Sequence, residues 1–148
     1  MTRRPARSAL FAALLAAALL TTIPSNAADT GLGWAAGFGG TGAGAAGETV
    51  DVDADGNVIT GGYFTGSVDF EPDPDAVRVI TANVIDAFIS KLGPAGGYHW
   101  TRRIGETGRE SATSVAVDGS GNVYATGYYT ETMTVDFGAF TLPHANPG

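Results

Sequence analysis

The segment Val50–Val58, reading Val-Asp-Val-Asp-Ala-Asp-Gly-Asn-Val, returns 65 residues later as Val115–Val123, reading Val-Ala-Val-Asp-Gly-Ser-Gly-Asn-Val. The likeness runs on through Gly62-Tyr63 and Gly127-Tyr128, so that nine of the sixteen positions from Val50 to Thr65 are identical in the shifted copy. Unrelated sequence would match at about one. One supersecondary unit has been duplicated, and a unit of this size cannot bury its apolar faces alone, so the copies must stack. This restricts architecture strongly and chemistry hardly at all.

Within the unit the spacing is that of strands. Thr49 to Asp53 alternates, with Val50 and Val52 on one face and polar side chains on the other. Asp53-Ala54-Asp55-Gly56-Asn57 follows with residues that favour turns, and Val58 to Phe64 returns as a second strand. Val115 to Asp118, Gly119 to Gly121 and Asn122 to Tyr129 repeat this hairpin. After Val68-Asp69-Phe70, the stretch Glu71-Pro72-Asp73-Pro74-Asp75 is a surface loop, because its prolines cannot donate to a ladder; strand resumes near Val77 to Ile80. Asp86 to Leu92 and Tyr98 to Ile104 are further strands around the turn Gly93-Pro94-Ala95-Gly96-Gly97, the latter with Tyr98 and Trp100 on one face. Ala28 to Gly47 is mostly Gly and Ala, with Trp34 and Phe38 as its only large side chains, and predicts no regular helix.

One period therefore holds about four strands and no good helix. The expected fold class is all-β: β-propeller blades, tandem four-stranded antiparallel repeats with a period of about 65, forming a partial propeller. Trp100, Phe88 and Tyr63 are expected between blades.

Arg3, Arg4 and Arg7 precede an uncharged apolar run from Ser8 to Leu20, and Ser25-Asn26-Ala27 supplies small residues before a cut. This is the pattern of a secretory signal peptide over residues 1–27, and the run is shorter than the about twenty apolar residues a membrane span needs. The remaining chain carries fifteen acidic groups against five basic ones, Arg78, Lys91, Arg102, Arg103 and Arg109. Such a surface repels phosphate, so neither nucleic acid nor an anionic membrane is an expected partner. With no cysteine in the chain, stability must come from packing and not from disulfides.

No motif makes a convincing chemical site. Asp51, Asp53 and Asp55 before Gly56 copy the start of a calcium loop, but the twelfth position is Gly62, no helices flank it, and the second copy has Ala116, Asp118 and Ser120 instead. Glu71, Asp73 and Asp75 form a second acidic run that reads as a solvated loop. Gly42-Ala43-Gly44-Ala45-Ala46-Gly47 has the glycine spacing of a dinucleotide loop without the helix that loop requires. Of the two histidines, His99 lies on a strand and His144 in the tail, with no nucleophile or acid placed beside either by sequence. Asp86 reads as a turn or blade-edge hydrogen-bonding residue, and Lys91 as a charge shielding a strand edge. The expectation is a non-enzyme, with no catalytic residues, no cofactor and no metal.

Val52-Asp53, Gly56-Asn57-Val58 and Gly62, then Asp86-Ala87-Phe88-Ile89-Ser90-Lys91-Leu92, then Gly96 and Trp100, resemble the bacterial secreted β-propeller repeat family, known as SBBP. Val117-Asp118, Gly121-Asn122-Val123-Tyr124 and Gly127 open a second unit, and Trp34 with Gly39-Gly40 looks like the closing strand of a preceding one. Glu106 departs from the pattern, standing where Gly40 stands when Trp100 is set on Trp34. The resemblance implies about two copies, a lead-in over 28–47, a complete repeat over 48–104 and a second, truncated one over 105–148. It also implies a secreted, periplasmic or cell-envelope protein with a binding or scaffolding role, a fragment of something larger, whose partner is an extracellular protein or glycan. Self-association through unpaired blades is the second expectation: short chains assembling into a lectin-like carbohydrate-binding ring, with sugars stacking on Tyr63, Phe64, Tyr128 or Tyr129.

Overall fold

A computed structural model describes residues 33–131 in full and, beyond them, the backbone of two short strands at 133–135 and 140–142. The signal-peptide segment and His144 lie outside the described residues.

The two sequence copies fold as the same hairpin. In the first, β1 (Gly44–Val52) pairs antiparallel with β2 (Val58–Thr65); β3 (Ser67–Asp69) and β4 (Val79–Thr81) form a small hairpin of their own. β5 (Asp86–Leu92) then returns to the free side of β2, and β6 (Tyr98–Ile104) pairs with β5. The order β1-β2-β5-β6 is a four-stranded antiparallel meander. The second copy contributes β7 (Ser111–Val117) paired with β8 (Val123–Tyr128), and β9 (Met133–Val135) paired with β10 (Phe140–Leu142) meets β6 through the bridge Ile104↔Val135. The described residues contain no helix. The strand expected near Val77 to Ile80 is thus the three-residue β4, outside the four-stranded blade, because the acidic proline loop before it leaves only a short hairpin with β3.

Local chemistry explains why both hairpins look alike. The carboxylate of Asp53 accepts the backbone N–H of Asp55 at 3.0 Å and of Asn57 at 2.9 Å, while Gly56 takes the positive φ of 83° that closes the turn. Asp118 does the same for Ser120 and Asn122, both at 2.9 Å, with Gly121 at 81°. Each hairpin also has one extra residue in its first strand, between Gly47 and Thr49 and between Ala112 and Ser114. The bulge drives the first strand onto the second: a Cβ on Gly62 would lie 1.9 Å from the Ala46 carbonyl oxygen, and one on Gly127 equally close to that of Ser111.

Two apolar clusters lie on opposite faces of the first blade. Phe38, Phe64, Val68, Phe70, Phe88 and Leu92 make one, with the Phe70 and Phe88 ring centroids 5.1 Å apart; the segment around Phe38 and the β3–β4 hairpin cover it. Ile59, Ala87 and Ile89 meet Ala112 and Val115 of β7 in the other, which is the contact between the two repeats, and Trp100 packs against it. Of the residues expected between the repeats, Trp100 lies there, whereas Phe88 points to the other face and Tyr63 is half-buried. Among the described residues, 33–38 are assigned to no strand. Trp34 instead caps the first blade's own β5–β6 turn, its indole N–H donating to the Pro94 carbonyl at 3.0 Å and its ring lying against Gly96.

The repeat contact has a polar seam. The backbone N–H of Val115 donates to Thr49 Oγ1 at 3.1 Å and that of Val117 to Asp51 Oδ2 at 2.7 Å, while Ser111 Oγ donates to the bulged Glu48. In β1 it is therefore the polar face that meets the second repeat, and Val50 and Val52 on the other face stand exposed.

Candidate functional site

The features best placed for function gather along β8, at the junction of the two repeats. β2, its counterpart in the first copy, is paired on both sides, by β1 and β5. Among the described residues β8 pairs only with β7, and Tyr124 and Tyr128 are about half exposed on it. A cleft of about 240 Å³ runs beside β8, lined by Ala87, Ile104, Ala112, Gly127, Tyr129 and Glu110.

Glu110 is fully buried at the inner end of this cleft, and neither of its carboxylate oxygens has a well-formed hydrogen bond. Asp86, equally buried, approaches from the start of β5; its Oδ2 pairs with Arg103 Nη1 at 2.9 Å and accepts the Asn83 N–H at 3.4 Å, while Oδ1 has no partner. The two carboxyls flank Gly105, where a Cβ would lie 2.5 Å from Glu110 Oε2 and 2.9 Å from Asp86 Oδ1; at a φ of 150° this backbone also suits glycine. Burial pushes the Glu110 carboxyl up to about 7, helped by the negative charge of Asp86 and, less, of Glu131; the Glu106 amide compensates only in part. Burial likewise raises Asp86, against the pull of Arg103. One guanidinium thus serves two acids, and the second holds its proton near neutrality. Sequence reading missed Glu110, Arg103 and Gly105 as a group. The available signal was the repeat itself, since Glu110 occupies the place of Ala45 in the first copy.

The other charged residues are absorbed by structure. Lys91 does not shield an edge: it lies in the interior strand β5 and pairs with Asp53 Oδ2 at 2.9 Å. Asp86 accepts the Asn83 N–H of the segment leading into β5, as expected of a turn residue, but it is also fully buried and paired with Arg103. Asp51, Asp53 and Asp55 do not converge, because Asp51 turns to β7 while Asp53 faces Lys91 and its own turn. Glu71 and Asp73 accept backbone N–H groups of their loop, and no group of three His, Asp or Glu among the described residues is arranged for a metal. His99 is exposed on β6 beside Gly93. Gly44 to Gly47 enter β1, with no helix to receive a pyrophosphate. Phe64 is core, so it cannot be a sugar platform.

Asp53 and Asp118 make a controlled comparison. Each accepts two backbone N–H groups of its turn on Oδ1 and an Asn side chain on Oδ2 at 2.8 Å. Asp53 then meets Lys91, whereas among the described residues Asp118 meets the neutral phenol of Tyr124 at 3.1 Å and no cation. The lysine holds Asp53 well below the usual carboxylate range; hydrogen bonds from Asn122 bring Asp118 to about 2. Lys91→Met should therefore lift the Asp53 carboxyl to the level of Asp118, which a carboxyl-detected NMR titration of both residues would show.

Residues 99–128 match the family model for SBBP, the beta-propeller repeat. That match spans β6, β7 and β8, the strands that carry the junction. The uncharacterized WD repeat-containing protein L264 of Acanthamoeba polyphaga mimivirus is 34% identical over 90 residues. The aligned stretch covers 55% of this chain and 6% of that protein, so the chain spans only a small part of the relative it matches. No solved structure matches the chain. With the antiparallel meander and the stacked second hairpin, these similarities make the chain an all-β repeat protein of propeller blades.

Proposed function

We propose that this is a secreted β-propeller-repeat protein that binds or scaffolds a partner outside the cell. The observation that carries this reading is the junction at β8: a cleft lined by apolar side chains and the buried Glu110, beside a strand that pairs on one side only among the described residues, on an acidic surface. A carboxyl poised near neutrality is by itself no catalyst, and Ser111, which lines the same cleft, donates its hydroxyl to Glu48 and not to Glu110; we therefore read the junction as a binding site.

The basic start and the apolar run at Ser8–Leu20 support export. Expressed from its first codon in a bacterial host, the protein should leave the cytoplasm and lose residues 1–27, and mass spectrometry of the exported form should give an N-terminus at Ala28. Full-length protein retained in the cytoplasm would end this reading. A lectin-like role is the second reading, favoured by the outward rings of Tyr124 and Tyr128 on one strand; binding on a glycan array, lost on Tyr128→Ala, would support it.

A further inference from the structure

The contact between the two repeats holds an electrostatic imbalance. Asp86 and Glu110, one from each repeat, are both fully buried, and three of their four carboxylate oxygens, Asp86 Oδ1 and both of Glu110, have no well-formed hydrogen bond. The fourth is well supplied. Asp86 Oδ2 accepts from Arg103 Nη1 at 2.9 Å and from the Asn83 N–H at 3.4 Å, which holds its charged form from two sides. Glu110 has no such support. It faces Asp86 at the start of β5, Arg103 on β6, the Glu106 amide in the loop before β7 and the carboxylate of Glu131 after β8, so two acids stand against one cation that Asp86 already engages. The neighbouring Ser111 hydroxyl turns away to Glu48 of β1. Glu110 Oε2 and Asp86 Oδ1 converge on one point above Gly105, where a Cβ would stand 2.5 and 2.9 Å from them. Glu110 is also where the second repeat first grips the first: its N–H donates to the Ile85 carbonyl at 2.9 Å, beside the parallel bridge of Ile85 with Arg109. Further along, the N–H groups of Val115 and Val117 bond to Thr49 and Asp51.

We propose that Glu110 and Asp86 form a proton-held latch between the repeats: neutral Glu110 donates its hydroxyl to Asp86 Oδ1 and fastens β7 to the first blade, and loss of that proton to solvent releases the β7–β8 hairpin while the first blade stays folded. With the proton in place, one buried carboxylate faces one guanidinium. Without it, two buried carboxylates share that guanidinium, and the Glu106 amide alone supports the charge on Glu110. Moving Asp86 would break its bonds to Arg103 and Asn83, whereas Glu110 reaches solvent once the start of β7 lifts from Ile85, so β7 is the part that moves. The aromatic cluster of the first blade includes no residue of β7. The direction follows from which state keeps the proton. Burial and the Asp86 charge push Glu110 up to about 7 in the closed contact against 4.5 when exposed, so opening becomes easier as pH rises from about 4.5 and levels off above 7. A divalent metal ion is the poorer occupant, since two carboxylates, one of them engaged by Arg103, supply too few ligands.

Amide hydrogen exchange of the isotopically labelled full chain, followed by NMR at a series of pH values, tests the latch. Corrected for intrinsic exchange, protection at Val115 and Val117 should fall about tenfold between pH 5 and 7, while the amides of β2 and β5 keep theirs. Glu110→Gln carries an amide that donates to Asp86 Oδ1 and loses no proton in this range. It should therefore hold Val115 and Val117 at their acid-side protection up to pH 7. A carboxyl-detected titration of the unaltered chain needs no variant: Glu110 should still be neutral at pH 5.5, where an exposed glutamate is ionised. Unchanged protection across the range, an equal fall in both repeats, the same fall in Glu110→Gln, or a Glu110 carboxyl already ionised at pH 5.5 would each overturn the proposal.

Discussion

Gly62→Ala should lower the unfolding free energy by about 3 kcal/mol or more, a large share of the roughly 5–15 kcal/mol that holds a domain of this size. An added methyl would sit 1.9 Å from the Ala46 carbonyl oxygen, inside any tolerable contact. The obstacle is backbone rather than a flexible side chain, so β1 must lift away from β2. That movement would open the aromatic cluster at Phe64 and displace Thr49 and Asp51 from their bonds to β7. Gly44→Ala in the same hairpin is the control: its nearest neighbour would be Thr65 Oγ1 at 3.9 Å, and stability should change by no more than about 0.5 kcal/mol. Urea denaturation of the three proteins side by side measures the difference. Equal midpoints for the two variants would refute the close-packed bulge.

The second large effect is on pH dependence, and its sign follows from which state holds the proton. Glu110 titrates near 7 in the folded protein against 4.5 when exposed, so between these values the folded state binds more protons than the unfolded one. Stability therefore falls as pH rises from about 4.5 to 7, and the raised Asp86 adds to the same trend. With 1.36 kcal/mol per pH unit, and solvent in the cleft screening part of the charge, the loss is about 2–3 kcal/mol. At the acid end the sign reverses. Asp53 and Asp118 titrate below their exposed value of 3.8, so their contribution is present above that pH and is lost as the pH falls toward 2. The protein should be most stable near pH 4 to 5. Glu110→Gln should flatten the fall above that point and raise stability at pH 8 by most of the 2–3 kcal/mol, while leaving the acid limb unchanged. An identical slope between pH 5 and 8 in both proteins would show that Glu110 is ionised and well solvated in the fold.

Much of the architecture is legible in the residues. The hairpins over 50–65 and 115–130 follow from alternation around an Asp-x-x-Gly-Asn turn, whose hydrogen bonds and positive φ are local properties of those side chains. The need for stacked neighbours follows from the repeat, and the Ile59, Ala87, Ile89, Ala112 and Val115 cluster meets it. The junction is a different matter. Asp86 opens β5 and Glu110 lies just before β7, and only the return of β7 onto the first blade brings them to the same glycine.

The sequence by itself determined the repeat, its turns and its all-β class, because these depend on periodicity and on interactions within a few residues. Tertiary structure alone decided which face of each strand is buried, since an alternating strand offers two faces and the neighbour that stacks on it chooses between them. That choice leaves Val50 and Val52 in solvent while Val115 is covered. It also places Lys91 inside a sheet instead of on its edge, and it buries a carboxyl at a position where the earlier copy has only an alanine methyl.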